Sequence, residues 1–258
     1  MTMQPLHTCA SYAHHGWRIL ASALTGQKHE NNGQSCQDAF IVGGNGKAFW
    51  LAVADGMSKS SHGGEGAAVA VAALDQHMRE ATTHDLPRLN SAYLAAHTAI
   101  TSAAARRGID PTGFATTLVA AIVNEDQIHC ASIGDSNITA ISYSGDKIFG
   151  LCSPRLALPK PDPVTRIPKR RTYGINSPTW RKSTTFRSVP METLAGFILH
   201  TDGANSVTEP DTKLYAPTLH QIGAKNDLRA VAGYFSIYSA NIRDDDDATI
   251  VAALRPPS

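Results

Sequence analysis

Short apolar segments that end at turns or acidic residues alternate along this chain with a few longer segments of helical character. Segments with the length and composition of β-strands are residues 17–23, 38–42, 48–54, 116–123, 128–133, 138–143, 147–151, 197–200 and 248–254. Residues 48–54 are apolar at every position, which is typical of a strand buried on both faces. The pattern therefore predicts a core built mainly from strands.

Two helices are predicted between these strands, and further helical patterns follow near the C-terminus. Residues 65–80 are rich in Ala and offer Val69, Leu74 and Met78 for a buried face, and residues 89–107 end at Gly108, which can terminate a helix. Residues 211–241 contain helical patterns, of which 228–238 is the clearest. Strand runs interleaved with paired helices predict an α+β domain of two sheets covered by helices.

Two segments lack such periodicity. Residues 26–37 are polar and predict a loop, and residues about 153–187 are basic, rich in proline and irregular. The second segment predicts either a flap that faces a substrate or a solvated insertion. The remainder indicates one domain spanning residues 1–258.

Composition narrows the classes of protein and partner. The 258 residues are 42% hydrophobic and 17% charged, with a formal net charge of +1, so neither a nucleic-acid partner nor an anionic membrane surface is favoured. The four cysteines form no C-x-x-C pair, and residues 1–14 lack the apolar run of a signal peptide. No apolar run reaches the length of a membrane span. We therefore predict a cytoplasmic protein without a membrane partner.

One arrangement recurs along the chain: an apolar strand that runs directly into an aspartate, usually beside a small residue. It is found at Asp55, Asp135 and Asp202, in reverse order at Asp246, and at the start of a strand at Asp38. A strand end holds a short carboxylate rigidly, and a following glycine lets the backbone approach an ion closely. A single Asp-Gly is typical of an ordinary turn, so only the ordered set indicates a site.

Converging carboxylates repel one another by about 4 kcal/mol per close pair, and divalent cations cancel that repulsion. Since the motifs contain oxygen ligands without Cys, they favour Mg²⁺ or Mn²⁺ over zinc.

The ordered set resembles a known family. It comprises Gln37-Asp38-Ala39, Val53-Ala54-Asp55-Gly56-Met57, Gly113-Phe114-Ala115-Thr116-Thr117-Leu118, Gly134-Asp135-Ser136, Thr201-Asp202-Gly203 and Asp246-Asp247-Ala248-Thr249. These motifs, in this order, resemble the metal-dependent protein phosphatases of the PP2C family, and residues 29–38 resemble its bacterial branch. The resemblance implies a four-layer α-β-β-α sandwich, in which two central antiparallel sheets are flanked by helix pairs.

The resemblance also implies roles for individual residues. Asp55 would bridge two Mn²⁺ or Mg²⁺ ions, Asp202 and Asp246 would complete the ligands of the first, and the carbonyl of Gly56 would serve the second. Asp38 would act nearby through bound water. Asp135, with Asp202, would form a weaker third metal position. A metal-activated water would then hydrolyse phosphoserine or phosphothreonine in a protein that a Ser/Thr kinase has phosphorylated.

The sequence departs from the family pattern at the groups that handle the phosphate and the leaving group. Gly33 and Asn137 stand where the family commonly has arginines, so Lys28, His29 and Arg18 are candidates for phosphate orientation. Met57 stands in place of a histidine thought to be the general acid.

His62, on the adjacent loop, is therefore a candidate catalytic residue, although the sequence favours a surface loop histidine without a catalytic role.

These departures leave a second interpretation, a catalytically weak relative that binds phosphoproteins or regulates a partner. An unrelated Mg²⁺ nuclease or small-molecule phosphatase would suit the carboxylates, but it would not explain the order of the motifs.

Overall fold

A computed structural model describes residues 7–142, 148–152, 160–161, 168–169, 172–207, 227–240 and 245–255. Its strands are β1 (His7–His14), β2 (Trp17–Leu24), β3 (Ala39–Asn45), β4 (Ala48–Ala54), β5 (Leu118–Val123), β6 (Gln127–Ile133), β7 (Asn137–Ser142), β8 (Ile148–Cys152), β9 (Lys160–Pro161), β10 (Pro168–Lys169), β11 (Thr185–Pro190), β12 (Leu194–His200) and β13 (Ala248–Leu254). Its α-helices are α1 (Gln27–Asn31), α2 (Gly63–Arg79), α3 (Leu86–Arg106), α4 (Trp180–Ser183) and α5 (Leu228–Ala240). Short 3-10 helices occupy Pro111–Phe114, Met191–Thr193 and Asp202–Val207.

The strands form two antiparallel sheets and a small β9–β10 pair. One sheet has the order β1-β2-β13-β12-β7-β8, and the other has the order β11-β6-β5-β4-β3. The predicted α+β fold with two antiparallel sheets is confirmed.

Strand β4 shows why its sequence is apolar throughout. Trp50, Ala52 and Ala54 pack in the cluster that contains α2 and α3, whereas the alternate residues of β4 pack in the cluster between the two sheets. Successive side chains of a strand point to opposite faces, so a strand with a helix layer on one side and a sheet on the other must be apolar at every position. The layers are therefore the α2–α3 pair, two sheets and, through Val231 and Phe235, helix α5.

The predicted elements agree closely with the structure, with instructive exceptions. Residues 26–37 were predicted as a loop, but they contain α1. Strand β1 was not predicted, because its sequence is polar and rich in histidine. It pairs with β2 through a tight turn in which His15 and Gly16 have φ angles of 42° and 81°, and it lies at the edge of its sheet, where polar residues are tolerated. Of the helical patterns at 211–241, residues 208–226 lie outside the described part of the chain.

The basic segment 153–187 is described only in part. Ile175 and Trp180 are buried in the core beside α3, and β11 pairs with β6 at the edge of its sheet. The C-terminal portion of the segment is thus packed into the domain, and its function as a flap stays a prediction. No helix in the described part of the chain is both long enough and apolar enough to span a membrane.

Candidate metal centre

Three of the predicted aspartates converge at one end of the two sheets. Carboxylate oxygens of Asp55, Asp135 and Asp202 all lie within 4.8 Å of one another. The topology explains the convergence of the first two. Strands β4 and β6 both pair antiparallel with β5, so they run in the same direction, and the residues that follow them lie at the same edge.

The other sheet presents its carboxylates at this edge by a similar argument. Strand β12 pairs antiparallel with β13, so the end of β12, at Asp202, lies beside the start of β13, at Asp246. Asp246 lines the same cavity as the three clustered aspartates, although it is not part of the closest group. Four predicted metal ligands therefore face one cavity from both sheets.

Burial and mutual repulsion shift the protonation of this cluster. Burial raises the pKa of Asp55 to about 9, with further contributions from the charges of Asp38, Asp202, Asp135 and Asp246. Burial likewise raises the pKa of Asp202 to about 6, and the charges of Asp135 and Asp246 add to the shift. The raised pKa values therefore reflect burial first and the mutual repulsion of the carboxylates second.

Asp38 stands behind this cluster, at the start of β3. Because Ala39 pairs with Ala54, the start of β3 lies beside the end of β4 and hence beside Asp55. Oδ2 of Asp38 accepts a hydrogen bond of 2.8 Å from Oγ1 of Thr201, while its buried Oδ1 has no partner among the described residues. Burial raises the pKa of Asp38 to about 8, and the charge of Asp247 adds to the shift, against the hydroxyl groups of Thr201 and Thr249, which favour the ionised form.

The acidic run near the C-terminus divides into two roles. Asp246 is exposed toward the cavity, whereas Asp247 is 4% exposed and is turned into the protein. Oδ1 of Asp247 accepts a 2.7 Å bond from the amide of Gly26, and Oδ2 accepts a 2.6 Å bond from the amide of Gln37 and lies 2.8 Å from Nδ1 of His29. Asp247 therefore fastens the segment that carries α1 and Asp38 to the start of β13.

Gly56 allows a close approach of backbone to backbone beside Asp55. A Cβ atom on Gly56 would lie 2.4 Å from the carbonyl carbon of Gly63, at the start of α2. Its amide donates to the carbonyl of Gln37 over 3.2 Å, and it forms an isolated bridge with Thr116. The glycine predicted as a metal ligand is thus also required for the packing of the loop before α2.

Threonines that the sequence analysis did not assign to the site hold its aspartates. Oγ1 of Thr117 accepts from the amide of Asp55 over 3.0 Å, and Oγ1 of Thr116 donates to the Asp55 carbonyl over 2.7 Å. Oγ1 of Thr172 donates to Oδ2 of Asp135 over 2.6 Å. Thr116 and Thr117 lie inside a recognised motif, so a signal existed for them, whereas Thr172 lies in the irregular basic segment and had none.

The aspartates open into a cavity of about 1200 Å³. Its described lining includes Lys28, Met57 and Lys59, and neither lysine forms an ion pair with another described residue. His29, the neighbour of Lys28, is buried against Asp247 and is not among the described residues that line the cavity. Arg18 lies in β2 and does not belong to the described lining.

His62 is placed beside the loop that leads into α2. Its ring stacks on Phe114 with centroids 5.1 Å apart, and its Nδ1 lies 2.9 Å from Oγ of Ser61. It is not among the described residues that line the cavity, so its catalytic role stays a prediction.

The structure also shows the surroundings of Gly33 and Asn137, the two positions where the family commonly has arginines. Gly33 has φ of 65°, a left-handed conformation that strains any residue with a Cβ. Asn137 donates from its side-chain amide to the carbonyl of Asp135 over 3.0 Å. An arginine at position 33 would therefore require a different local backbone.

Comparison with known proteins supports the same assignment of fold. Residues 25–235 match the sequence profile of the family described as Protein phosphatase 2C. No curated protein matches the chain in sequence. The serine/threonine phosphatase Stp1 from Staphylococcus aureus is similar with a TM-score of 0.66 at 14% identity, over 92% of this chain and 94% of that one.

Two further solved structures extend the comparison. The serine/threonine phosphatase PstP/Ppp of Mycobacterium tuberculosis has a TM-score of 0.66 at 19% identity, over 93% of this chain and 99% of that one. RsbX, solved in complex with magnesium, has a TM-score of 0.58 at 18% identity, over 96% and 99% of the respective chains. At these identities the structural similarity shows the fold.

Proposed function

Because this chain belongs to the protein phosphatase 2C family, we propose that it is a Mg²⁺- or Mn²⁺-dependent phosphatase that removes phosphate from phosphoserine and phosphothreonine in proteins. The observation that carries the proposal is the convergence of Asp55, Asp135 and Asp202 within 4.8 Å at the base of an open cavity.

The donor set fits divalent ions of this kind. The ligand atoms are carboxylate oxygens, which hard cations prefer. Burial and the repulsion between neighbouring carboxylates raise the pKa values of Asp55 and Asp202, and a bound cation would favour their ionised forms. Asp55, Asp202 and Asp246 would hold the ions together with the carbonyl of Gly56, and Asp135 with Asp202 would serve a further ion. Ions bound there would lower the pKa of a water molecule enough for its hydroxide to attack phosphorus. Their positive charge would also stabilise the negative charge on the phosphoryl oxygens.

The remaining residues of the site would position water and phosphate. Asp38 has an oxygen without a partner among the described residues, which suits it to accept a hydrogen bond from a water molecule in the site. Thr201 holds the other oxygen of Asp38 and so orients the carboxylate. Lys28 lines the cavity with Asp55, Asp202 and Asp246, and it offers an ammonium to a dianionic phosphate. We assign phosphate orientation to Lys28 for this reason.

The test combines metal removal with removal of a carboxylate. The wild-type protein should hydrolyse p-nitrophenyl phosphate and a phosphothreonine peptide with Mn²⁺ and lose this activity in EDTA. Asp55→Asn should lower kcat/KM by roughly 100-fold or more, since each ion supplies several kcal/mol of transition-state stabilisation. Calorimetric titration should show weaker Mn²⁺ binding in the same variant.

Asp126→Asn is the matched control, because Asp126 is an exposed turn carboxylate between β5 and β6. It should retain activity and Mn²⁺ affinity. Activity that survives both EDTA and Asp55→Asn would contradict the proposal.

A second candidate is a catalytically weak relative that binds phosphoproteins or regulates a partner. Gly33 and Asn137 favour low turnover, because neither position carries the arginine that the family commonly has there. Turnover by the wild-type protein with saturating Mn²⁺ at a rate typical of phosphatases would exclude it. A cytoplasmic location and a partner Ser/Thr kinase stay predictions.

A further inference from the structure

Helix α1 carries Lys28 toward the metal centre, although its own sequence cannot hold it in place. Its five residues, Gln27–Asn31, include no apolar side chain, and a helix of this length is not stable on its own. Of these five residues, all of them described, only His29 is buried, whereas Lys28 is exposed and lines the cavity that contains the aspartates. The orientation of Lys28 must therefore be set by contacts that α1 makes with the rest of the protein.

His29 makes the side-chain contact that anchors α1. Its Nδ1 lies 2.8 Å from Oδ2 of Asp247, and the two side chains are only 6% and 3% exposed. The same carboxylate accepts hydrogen bonds from the backbone amides of Gly26 and Gln37, which precede and follow α1. Successive residues of a helix point about 100° apart, so fixing His29 against Asp247 also fixes the direction of Lys28.

The start of α1 is attached directly to the edge that carries the predicted metal ligands. The amide of Lys28 donates to the carbonyl of Asp245 over 3.1 Å. A Cβ atom on Gly26 would lie 2.2 Å from the carbonyl carbon of Asp246, so the two backbones are in close contact. These contacts place the backbone of Lys28 beside Asp246.

Gly33 ends α1 in a defined geometry. The amide of Gly33 donates to the carbonyl of Glu30, and the amide of Gln34 donates to the carbonyl of His29, both over 2.9 Å. With φ of 65° at Gly33, this is a Schellman motif, in which the residue after the C-cap adopts the left-handed conformation that glycine favours. Position 33 thus serves to end the helix, and Lys28 is the cation that this helix presents to the cavity.

On the basis of the proposed function, we propose that His29 is a positioning residue for phosphate binding. Its buried contact with Asp247 holds α1 so that Lys28 meets the phosphoryl group. His29 is not among the described residues that line the cavity, so it acts through Lys28 rather than on the substrate.

Two substitutions at His29 test this role. His29→Leu removes the nitrogen beside Asp247 at similar volume, and His29→Asn places an amide nitrogen near the position of Nδ1. With Mn²⁺ and p-nitrophenyl phosphate, His29→Leu should raise KM about fivefold with a smaller change in kcat, the effect of losing one charge-assisted hydrogen bond from Lys28. His29→Asn should keep KM close to the wild-type value. His77→Leu is the control and should leave KM unchanged, because His77 contacts Ser91 and is not part of the described lining.

A double-mutant cycle separates positioning from a general structural effect. If His29 acts through Lys28, His29→Leu should raise KM no further in a Lys28→Ala background. Independent effects would multiply to roughly 25-fold, and that result would overturn the proposal.

Gly33→Ala decides the question if His29→Leu fails to fold. Alanine is strained in the left-handed conformation at position 33, although an added Cβ would meet no atom of the described residues within 4 Å. Gly108→Ala is the matched control, because Gly108 follows α3 with φ of 66° and equally open surroundings among the described residues. Both variants should lose similar stability in denaturant unfolding, but only Gly33→Ala should raise KM, by about twofold or more, since α1 moves to relieve the strain. Equal KM values in the two glycine variants would then overturn the proposal.

The binding of inorganic phosphate separates failure of this proposal from failure of the proposed function. Calorimetric titration with phosphate in the presence of Mn²⁺ should show about fivefold weaker binding in His29→Leu and no further loss when Lys28→Ala is added. If the wild-type protein hydrolyses neither p-nitrophenyl phosphate nor a phosphothreonine peptide, the proposed function fails, and the titration still supports or overturns the role of His29. Wild-type phosphate affinity in folded His29→Leu overturns that role, and so does a wild-type protein that binds no phosphate.

Discussion

At the scale of single residues, neighbouring positions of similar chemistry have opposite functions. Asp246 faces the cavity, and Asp247 is buried against the amides of Gly26 and Gln37. Lys28 and His29 divide in the same way, because a short helix turns the lysine toward the cavity and the histidine toward Asp247. Which of two adjacent residues faces the cavity therefore depends on the direction of the backbone, and residue type alone does not decide it.

Lys28→Ala tests the phosphate-orienting role at this scale. We expect KM for p-nitrophenyl phosphate to rise about fivefold with a smaller change in kcat, since one solvent-accessible charge-assisted hydrogen bond to phosphate contributes about 1 kcal/mol. Lys28→Arg should retain most of the affinity. Steady-state kinetics with Mn²⁺ measure the effect.

Lys47→Ala is the control for loss of a positive charge, because Lys47 pairs with Glu125 and does not belong to the described lining of the cavity. An equal rise of KM in both alanine variants would show that net charge, rather than Lys28, is responsible.

At the scale of elements, the site depends on close contacts between the ends of strands. A Cβ atom on Gly203 would lie 2.1 Å from the carbonyl oxygen of Asp247, so the turn after β12 packs directly on the start of β13. A Cβ atom on Gly26 would lie 2.2 Å from the carbonyl carbon of Asp246, so the segment before α1 packs on the same residues. These glycines bring Asp202 and Asp246 to one place.

Gly203→Ala should therefore displace the start of β13. We expect the free energy of unfolding to fall by about 1–3 kcal/mol, as for other overpacked sites, and Mn²⁺ affinity to fall as well, since Asp202 and Asp246 lie on either side of the contact. Denaturant unfolding and calorimetric Mn²⁺ titration measure the two effects.

Gly233→Ala provides the comparison, because Gly233 is exposed in α5 and an added Cβ would meet no atom of the described residues within 4 Å. It should stabilise the protein by up to about 1 kcal/mol through helix propensity. Equal stability of the two variants would mean that the turn after β12 is free to relax.

At the scale of the whole molecule, the carboxylates lie at the ends of strands in two different sheets. They come close together only when the two sheets pack against each other. Asp38 and Asp55 come from one sheet, and Asp202 and Asp246 from the other. The unfolded chain keeps these groups apart, so their repulsion exists only in the folded state. Folding of the metal-free protein is therefore opposed by the site itself.

This opposition predicts the pH dependence of stability. The pKa values of Asp38, Asp55 and Asp202 are raised to about 8, 9 and 6 in the fold, against an ordinary value near 3.8. Buried histidines such as His200, whose pKa falls to about 4, act in the opposite direction below about pH 7. Between about pH 7 and about pH 9, Asp38 and Asp55 hold more protons in the folded protein than in the unfolded chain, so the stability in EDTA should fall as pH rises. Thermal unfolding in EDTA across this range measures the slope.

Two further measurements identify the carboxylates as the cause. Asp55→Asn should give a flatter profile and a higher Tm than the wild-type protein at the alkaline end. Mn²⁺ should stabilise the wild-type protein most at the alkaline end and should release protons on binding, because the ligands must be ionised. A wild-type Tm in EDTA that rises with pH would contradict this account.

Much of the fold was predictable because its signals are local. Strands β4 and β13 are continuous apolar runs, and Gly108, with φ of 66°, follows helix α3 as predicted. Strand β1 was missed because an edge strand tolerates polar residues, and α1 was missed because its five residues are held by Asp247, some 220 positions away, rather than by a periodic pattern.

The sequence by itself determined that aspartates would stand at the ends of rigid strands, because strand length, burial and the following small residue are all encoded locally. Only the tertiary structure decided which of them converge, since antiparallel pairing brings distant strand ends to one edge. It also decided that Asp247 supports the site while Asp246 faces it, and that threonines hold the carboxylates.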